Sequence, residues 1–289
     1  MTQGSSPEVP TPPAPLIPEG LDATLVLLRH GESEWIVENR FQGQGETPLS
    51  AAGRRQAALA GERLAHPHAT PALPVPAGRP LEIIHSPLAR TAETARAVAD
   101  AIAGAAEADG TGPSSVLVRP EAGLLEIGQG EWEGVTHDEI SRRWPEALAG
   151  WRRRPWETWA PGGESPGQVQ ERVRPALAGI LERLGRDYPR GTLDRPQVGG
   201  YAGVGPQAGQ PWSILVGHDG VFKVVMLTLF DLPLTHFWMF TMALTGITVV
   251  EFRGGRPVVR AANLTEHLAP LLDEHAQELA ERRARSGAL

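Results

Sequence analysis

Cysteine is absent from all 289 residues of the sequence. This absence excludes disulfides, thiolate metal sites and every mechanism with a cysteine nucleophile, and it is compatible with the cytoplasm. A long apolar run is also missing, because the longest one, residues 221–232, is interrupted by Lys223 and Asp231. That run is too short to cross a bilayer. We therefore predict a cytoplasmic protein with no membrane partner.

Basic residues are fewer than acidic ones, 27 against 34, which gives a formal net charge of -7 at pH 7. This balance argues against a general nucleic-acid-binding protein, which is usually basic, but it permits a local cationic pocket. The length suits one large α/β domain or two small ones. Residues 1–20 contain six prolines, no lysine or arginine and no apolar core. We expect them to form a disordered tail and not a signal peptide.

The first apolar segment of the chain leads directly into a possible phosphate site. Residues 25–28 predict a short strand that is buried on both faces, and Arg29, His30 and Gly31 follow it. In open α/β sheets, ligands bind at the carboxyl ends of the strands. Arginine forks onto phosphate, and histidine can act as a nucleophile near neutral pH. The motif predicts a phosphate site with His30 at its floor; the alternative is an ordinary loop in which Arg29 caps a carbonyl.

A second cation follows the second predicted strand, residues 81–85. Ser86 and Pro87 are typical of the N-cap and first position of a helix, which we expect to run to about residue 103. Arg90 then lies in the first turn, where a cation opposes the helix dipole unless an anion binds there. The alternative is that Arg90 pairs with a surface carboxylate.

Acid–base candidates occur between residues 124 and 134, where three glycines predict an irregular loop. Its three glutamates are Glu126, Glu131 and Glu133. A carboxyl group could protonate a leaving oxygen and later activate water. Glu126, which follows two leucines, can play both parts in turn.

A third apolar strand, residues 213–216, ends in Gly217 and His218 and so repeats the first motif. The nearly all-apolar stretch 221–230 predicts a buried helix behind it. Phosphoryl transfer requires an in-line nucleophile and positive charge around the phosphoryl oxygens. His30 can supply the nucleophile, while two arginines and His218 supply the charge. Such a pocket requires no metal ion and no cofactor.

The remaining segments predict scaffolding and loops. Four tryptophans between residues 144 and 159 flank three consecutive arginines. Such a mixture of aromatic and basic residues can bind single-stranded nucleic acid. Because the chain is acidic overall, we favour a packed flap over the active site. Ser50 and Ser165 are typical helix N-caps. Residues 66–80 predict a surface loop, 186–211 a flexible insertion, 247–261 a hairpin and 270–289 a charged terminal helix.

Taken in this order, the motifs resemble those of the histidine phosphatase superfamily, in its phosphoglycerate-mutase-like branch. The resemblance covers roughly residues 22–268. Its motifs are residues 29–33, 41–43, 48–50, 86–92, 126–134, 162–165, 217–218, 263 and 267–268. A short motif alone matches by chance, whereas the full ordered set is specific.

This resemblance implies a three-layer α/β/α sandwich with a mixed, mostly parallel sheet, spanning one domain over residues 21–269. It implies that His30 becomes a phosphohistidine and that Glu126 is the proton donor. It also implies that Arg29, Arg90 and His218 hold the phosphoryl group.

Substrate contacts are expected from five further residues, namely Ser33, Gln42, Gly43, Asp219 and Gly220. Two departures from the family pattern bear on them. Ile36 stands where many relatives carry a phosphate-binding asparagine, so one contact is lost. Asp219 stands where glycine is common, and its carboxylate would repel phosphate, so only its backbone N–H is expected to face the phosphate.

The leading hypothesis is a metal-independent phosphomonoesterase that hydrolyses a small phosphorylated metabolite through a phosphohistidine. A cofactor-dependent phosphoglycerate mutase is the alternative enzyme, and a binding module on the same fold is the alternative of another class. The presence of both a nucleophile and an acid counts against the module. No nucleic-acid partner is expected, and a homodimer stays open.

Overall fold

The computed structural model describes residues 15–110, 115–186, 209–272 and 274. Within them the chain forms one six-stranded sheet in the order β3-β2-β4-β1-β5-β6. Its strands are β1 Ala23–Arg29, β2 Glu82–His85, β3 Leu117–Pro120, β4 Trp212–Gly217, β5 Ile247–Arg253 and β6 Arg256–Leu264. The first four strands are mutually parallel, while β5 runs antiparallel to both of its neighbours. The sheet is therefore mixed and mostly parallel, as predicted.

Helices cover both faces of this sheet. They are α1 Glu34–Val37, α2 Ala51–Ala65, α3 Ala89–Ala108, α4 His137–Arg143, α5 Pro145–Arg153, α6 Pro166–Gly185 and α7 Asp219–Leu229. Short 3₁₀ helices cover Ala122–Leu124, Gly130–Trp132, Leu234–Met239 and Glu266–Leu268. The apolar residues of α2 and α3 form one core, and those of α6 and α7 form the other. This arrangement confirms the predicted three-layer α/β/α sandwich.

Strand β1 lies at the centre and is buried on both faces, as its unbroken apolar run predicts. Val26 and Leu28 point into the core with α2 and α3, whereas Leu25 and Leu27 point into the core with α6 and α7. Side chains alternate along a strand, so a central strand between two helical layers needs an apolar residue at each position.

The register of the parallel strands brings their carboxyl ends to one edge. Arg29 is paired with Gly217, and His85 is paired with Val216. The ladder continues through the N–H of His30, which donates to the carbonyl of Gly217 at 3.0 Å. Residues that follow β1, β2 and β4 are thereby placed side by side at this edge.

Of three predicted helix caps, two are confirmed and the third is wrong. The hydroxyls of Ser50 and Ser165 accept from the N–H three residues on, and Ser165 forms a full capping box with Gln168. Ser86 does not cap α3, which begins at Ala89 and ends at Ala108, five residues beyond the predicted end. The Ser86 hydroxyl is engaged by His218 instead, so the helix begins without a side-chain cap.

Parts of the predicted domain organisation lie outside the described residues. These are most of the 1–20 tail, most of the 186–211 insertion and nearly all of the 270–289 helix, so those assignments stay predictions. The predicted hairpin is confirmed by β5 and β6, which are antiparallel and joined at Gly254 and Gly255. In the portion of the chain that the structure describes, no helix is long and apolar enough to cross a membrane.

Candidate active site

A cavity of about 300 Å³ opens at the edge where β1, β2 and β4 end. Of the five predicted catalytic residues, Arg29, His30, Arg90 and Glu126 line it. The fifth, His218, is fully buried directly behind it, with its ring centroid 5.0 Å from that of His30. The structure therefore brings together residues that are separated by as many as 189 positions in the chain, because the fold places strand ends and the start of α3 at one edge.

The ring of His30 is held in one orientation by its own backbone. Its Nδ1 lies 2.6 Å from the carbonyl oxygen of Gly31. A carbonyl only accepts, so Nδ1 carries the proton and Nε2 keeps the lone pair. Burial, and then the charges of Arg90 and Arg29, lower the pKa of His30 well below its ordinary value. The side chain is therefore a neutral imidazole at neutral pH, with Nε2 as its nucleophilic atom.

His218 is also held neutral, in the opposite tautomer. Nε of Arg90 donates to its Nδ1 at 3.3 Å, so the proton sits on Nε2, which donates to the hydroxyl of Ser86 at 2.9 Å. Burial, and then Arg90, lower the pKa of His218 well below its ordinary value. Ser86 was expected to be a helix cap, and no local sequence signal points to this contact, because the two residues meet only in the folded sheet.

Arg90 lies in the first turn of α3, as predicted, and its side chain is completely buried. Besides its bond to His218, it donates to the carbonyls of Gly45 at 2.9 Å and Gly43 at 2.7 Å. Three of its five N–H groups are thus occupied, and two are left for a ligand. Burial lowers the pKa of Arg90 to about 10, which still leaves the group charged at neutral pH.

Arg29 provides the second cation of the cavity. Its NH1 donates to the carbonyl of Met242 at 2.7 Å. Its Nε is buried and has no hydrogen-bond partner among the described residues. A buried, unpaired N–H is costly, so this donor is available to a bound anion.

Glu126 lies on the rim of the cavity and caps the N-terminus of α7. Its carboxylate accepts from the N–H groups of Gly220 at 3.1 Å and Val221 at 2.8 Å, and also from that of Ile127 at 2.8 Å. The N–H of Gly220, one of the five predicted substrate contacts, is thus engaged by Glu126 in this structure.

Of the other two glutamates in this loop, neither lines the cavity. Glu131 is exposed. Oε1 of Glu133 accepts from the backbone N–H groups of Gln44 and Gln129, both at 2.9 Å, and so joins two loops of the site. Among the three candidates, only Glu126 lines the cavity.

Four of the five predicted substrate contacts line the cavity, and one does not. Gln42, Gly43, Asp219 and Gly220 line the cavity. Ser33 does not; it is buried, and its hydroxyl donates to the Oε1 of Gln42 at 2.7 Å. Its contact with the cavity is therefore indirect, through Gln42.

The carboxylate of Asp219 is balanced by a cation that the sequence analysis did not single out. Nζ of Lys223, one turn along α7, donates to Oδ2 of Asp219 at 2.6 Å. Lys223 is only 5% exposed and lies 4.6 Å from the ring centroid of Trp238 and 5.5 Å from that of Phe237. The i, i+4 spacing was visible in the sequence, but the aromatic cover over the lysine was not.

Aromatic side chains form much of the cavity's outer wall. Trp151 of α5 packs against Phe237 and Trp238 of the 3₁₀ helix Leu234–Met239, with ring centroids 5.8 and 6.3 Å apart. Phe41 lines the cavity as well. Trp151 belongs to the predicted flap, whereas Phe237, Trp238 and Phe41 were not anticipated as lining residues. Across the residues that the structure describes, no group of three histidine, aspartate or glutamate side chains could hold a metal ion.

Comparison with known proteins identifies the family of this arrangement. The model of the histidine phosphatase superfamily (branch 1) matches residues 25–188 and 206–265. The glucosyl-3-phosphoglycerate phosphatase of Mycobacterium tuberculosis is 33% identical over 73% of this chain and 77% of its own length. Phosphoserine phosphatase 1 of Hydrogenobacter thermophilus is 27% identical over 84% of this chain and 93% of its own. The solved structure of Bacillus stearothermophilus YhfR superposes with a TM-score of 0.64 at 28% identity, covering 85% of this chain and 99% of that one.

Proposed function

Since the chain belongs to the histidine phosphatase superfamily and is an enzyme of its phosphoglycerate-mutase-like hydrolase type, we propose that it hydrolyses a small phosphorylated metabolite through a phosphohistidine on His30. The observation that carries this proposal is the contact between Nδ1 of His30 and the carbonyl of Gly31. It leaves the lone pair on Nε2, in a cavity that Arg29 and Arg90 also line.

In the first step, Nε2 of His30 attacks the phosphorus atom. The P–N bond forms as the bond to the leaving oxygen breaks, and Glu126 in its protonated form gives that oxygen a proton. The free N–H groups of Arg29 and Arg90 neutralise the charge on the equatorial oxygens. His218 acts as a neutral partner that fixes the orientation of Arg90.

In the second step, the Glu126 carboxylate removes a proton from water, whose oxygen attacks the phosphorus atom. The P–N bond breaks, its electron pair returns to Nε2, and inorganic phosphate leaves. Glu126 is again protonated, so the cycle closes with no other acid or base. The positive charge of two arginines supports the proposal that no metal ion takes part.

The relatives' names support a small phosphorylated substrate without identifying it. The aromatic wall favours a leaving group that carries a ring, because aromatic side chains supply large, rigid contact surfaces. Trp238 is 47% exposed beside the cavity and is the side chain most available for such contact. A cytoplasmic location, a homodimer and the absence of nucleic-acid partners stay predictions.

A panel of phosphomonoesters tests the proposed function. It contains phosphoserine, glucosyl-3-phosphoglycerate, several sugar phosphates and 3-phosphoglycerate with catalytic 2,3-bisphosphoglycerate. We expect release of inorganic phosphate, fastest from a ring-bearing ester, and unchanged rates after treatment with EDTA.

Three results would contradict parts of this proposal. Formation of 2-phosphoglycerate faster than phosphate release from any ester would make the enzyme a mutase. Binding without turnover of any ester would make the protein a binding module. Loss of activity in EDTA that is restored by Mg²⁺ or Zn²⁺ would overturn metal independence.

A further inference from the structure

The backbone of Glu126 is held by an arginine that its carboxylate does not contact. NH2 of Arg172, on α6, donates to the carbonyl of Glu126 at 2.9 Å. NH1 of the same guanidinium donates to the carbonyls of Leu125 at 2.8 Å and Gly123 at 3.0 Å. Three backbone carbonyls of the segment that carries Glu126 therefore accept hydrogen bonds from one side chain. These bonds are charge-assisted and are stronger than hydrogen bonds between neutral groups.

Arg172 is itself fixed by Glu164. Its Nε donates to Oε1 at 3.0 Å and its NH2 to Oε2 at 2.8 Å, which is a two-point contact. The pair is largely buried, with the two side chains 22% and 26% exposed. Burial alone would raise the pKa of Glu164, but bonds from Arg172 and from the N–H of Gly128 lower it below its ordinary value, so the carboxylate stays charged.

Gln44 joins this pair to the phosphate-binding side of the cavity. Its Nε2 donates to the carbonyl of Glu126 at 3.1 Å and to Oε2 of Glu164 at 2.9 Å. Its two chain neighbours, Gly43 and Gly45, hold the guanidinium of Arg90 through their carbonyls. The segment that orients Arg90 is thus tied directly to the segment that presents Glu126.

We propose that Arg172, locked by Glu164, is the positioning residue for the proton donor Glu126. Arg172 does not line the cavity, so any effect on the reaction passes through the loop that it holds. A displacement of about 1 Å in a reacting group can cost about 100-fold in rate. This inference rests on the proposed role of Glu126 in protonating the leaving oxygen.

The test compares two substrates that differ in their need for that proton. An alkyl phosphate has a poor leaving group that must be protonated, whereas p-nitrophenyl phosphate has a leaving group that departs as an anion. For Arg172→Met, we expect kcat/KM, which covers the steps up to departure of the leaving group, to fall at least about 10-fold on the alkyl phosphate and less than about 3-fold on p-nitrophenyl phosphate. The Ki of inorganic phosphate should change less than about 2-fold. Arg172→Lys should restore part of the loss.

Arg183→Met is the matched control. Arg183 lies on the same helix, is 26% exposed and pairs with Glu82 at 3.1 Å. Its loss should lower the melting temperature without changing the ratio of the two kcat/KM values. If Arg172→Met is not folded, Glu164→Gln, which keeps the side-chain shape and weakens the pair, must show the same selective loss.

The outcomes separate this inference from the function on which it rests. Suppose that Glu126→Gln shows selective loss on the alkyl phosphate. The positioning role is then overturned if the kcat/KM of folded Arg172→Met falls equally on both substrates or does not fall at all. If Glu126→Gln shows no such selectivity, the proposed role of Glu126 is itself wrong.

Discussion

Nε of Arg90 donates a hydrogen bond to Nδ1 of His218 across 3.3 Å, directly behind the cavity. An arginine has no acceptor, so this contact requires the lone pair of His218 to be on Nδ1 and its proton to be on Nε2. The hydroxyl of Ser86 accepts a hydrogen bond from that N–H, and the ring is neutral. Two buried histidines and two arginines can lie this close together because both imidazoles are uncharged.

A phosphoryl group on His30 should be directly detectable. With a ³²P-labelled ester and rapid alkaline quench, the wild type should yield a protein adduct that is stable in alkali and lost in acid. His30→Ala removes the Nε2 nucleophile and should abolish the adduct, with kcat falling by at least about 10⁴-fold. His66→Ala, at the exposed end of α2, should be labelled like the wild type. Equal labelling of His30→Ala would show that another residue is the nucleophile.

The sequence was most informative about the edge of the sheet. Apolar runs before His30 and His218 predicted two strand ends at the same edge of the sheet, because parallel strands place such ends together. Contacts between distant segments could not be predicted in the same way. Ser86 matches a helix cap locally, yet it lies 2.9 Å from a histidine that is 132 positions away. Arg172 lies on an amphipathic helix and carries no motif that connects it with Glu126.

One chain-local signal also failed where a tertiary contact competed with it. Serine followed by proline is a strong helix start, but α3 begins at Ala89 since His218 engages the serine hydroxyl. Asp219 looked incompatible with phosphate as an isolated carboxylate. Its partner Lys223 is shielded by Phe237 and Trp238, whose position over α7 depends on the fold and not on any spacing in the sequence.

Acid should destabilise the protein partly through His267. Burial, and then Arg63, lower the pKa of His267 to about 4, although Glu266 and a bond to Thr245 act in the opposite direction. In the unfolded chain a histidine titrates near 6.5. Between those values the unfolded state binds a proton that the folded state does not, so the free energy of unfolding falls as the pH falls.

This effect can be isolated by comparing the wild type with His267→Gln in urea unfolding at pH 7 and pH 4. We expect the wild type to lose about 2 kcal/mol more than the variant over this range, after allowing for solvent screening. Equal losses in the two proteins would contradict the lowered pKa of His267.

Glu126→Gln should slow the enzyme in proportion to the difficulty of the leaving group. The amide cannot give a proton to the leaving oxygen, so kcat/KM, which covers the steps up to departure of that oxygen, should fall about 100-fold or more on alkyl phosphates and much less on p-nitrophenyl phosphate. Glu131→Gln is the control, because Glu131 is exposed and does not line the cavity. If Glu131→Gln shows this dependence and Glu126→Gln does not, the acid has been assigned to the wrong glutamate.

Lys223 should make the carboxylate of Asp219 compatible with an anionic substrate. The two side chains are 2.6 Å apart, and Asp219 lines the cavity while Lys223 is nearly buried beneath two aromatic rings. In Lys223→Met the apolar stem is retained, but the carboxylate is left without its counter-charge. An unpaired charge at such a site repels a phosphate dianion, so the Ki of inorganic phosphate should rise about 10-fold.

The double variant Asp219→Asn/Lys223→Met decides whether charge is the cause. Neutralising Asp219 removes the repulsion, so the Ki of the double variant should return to within about 3-fold of the wild type. The melting temperatures of both variants report the separate loss of the lysine–aromatic contact, which contributes about 1 kcal/mol or more when it is desolvated. If the double variant binds phosphate as weakly as Lys223→Met, the lysine supports the aromatic wall and does not screen Asp219.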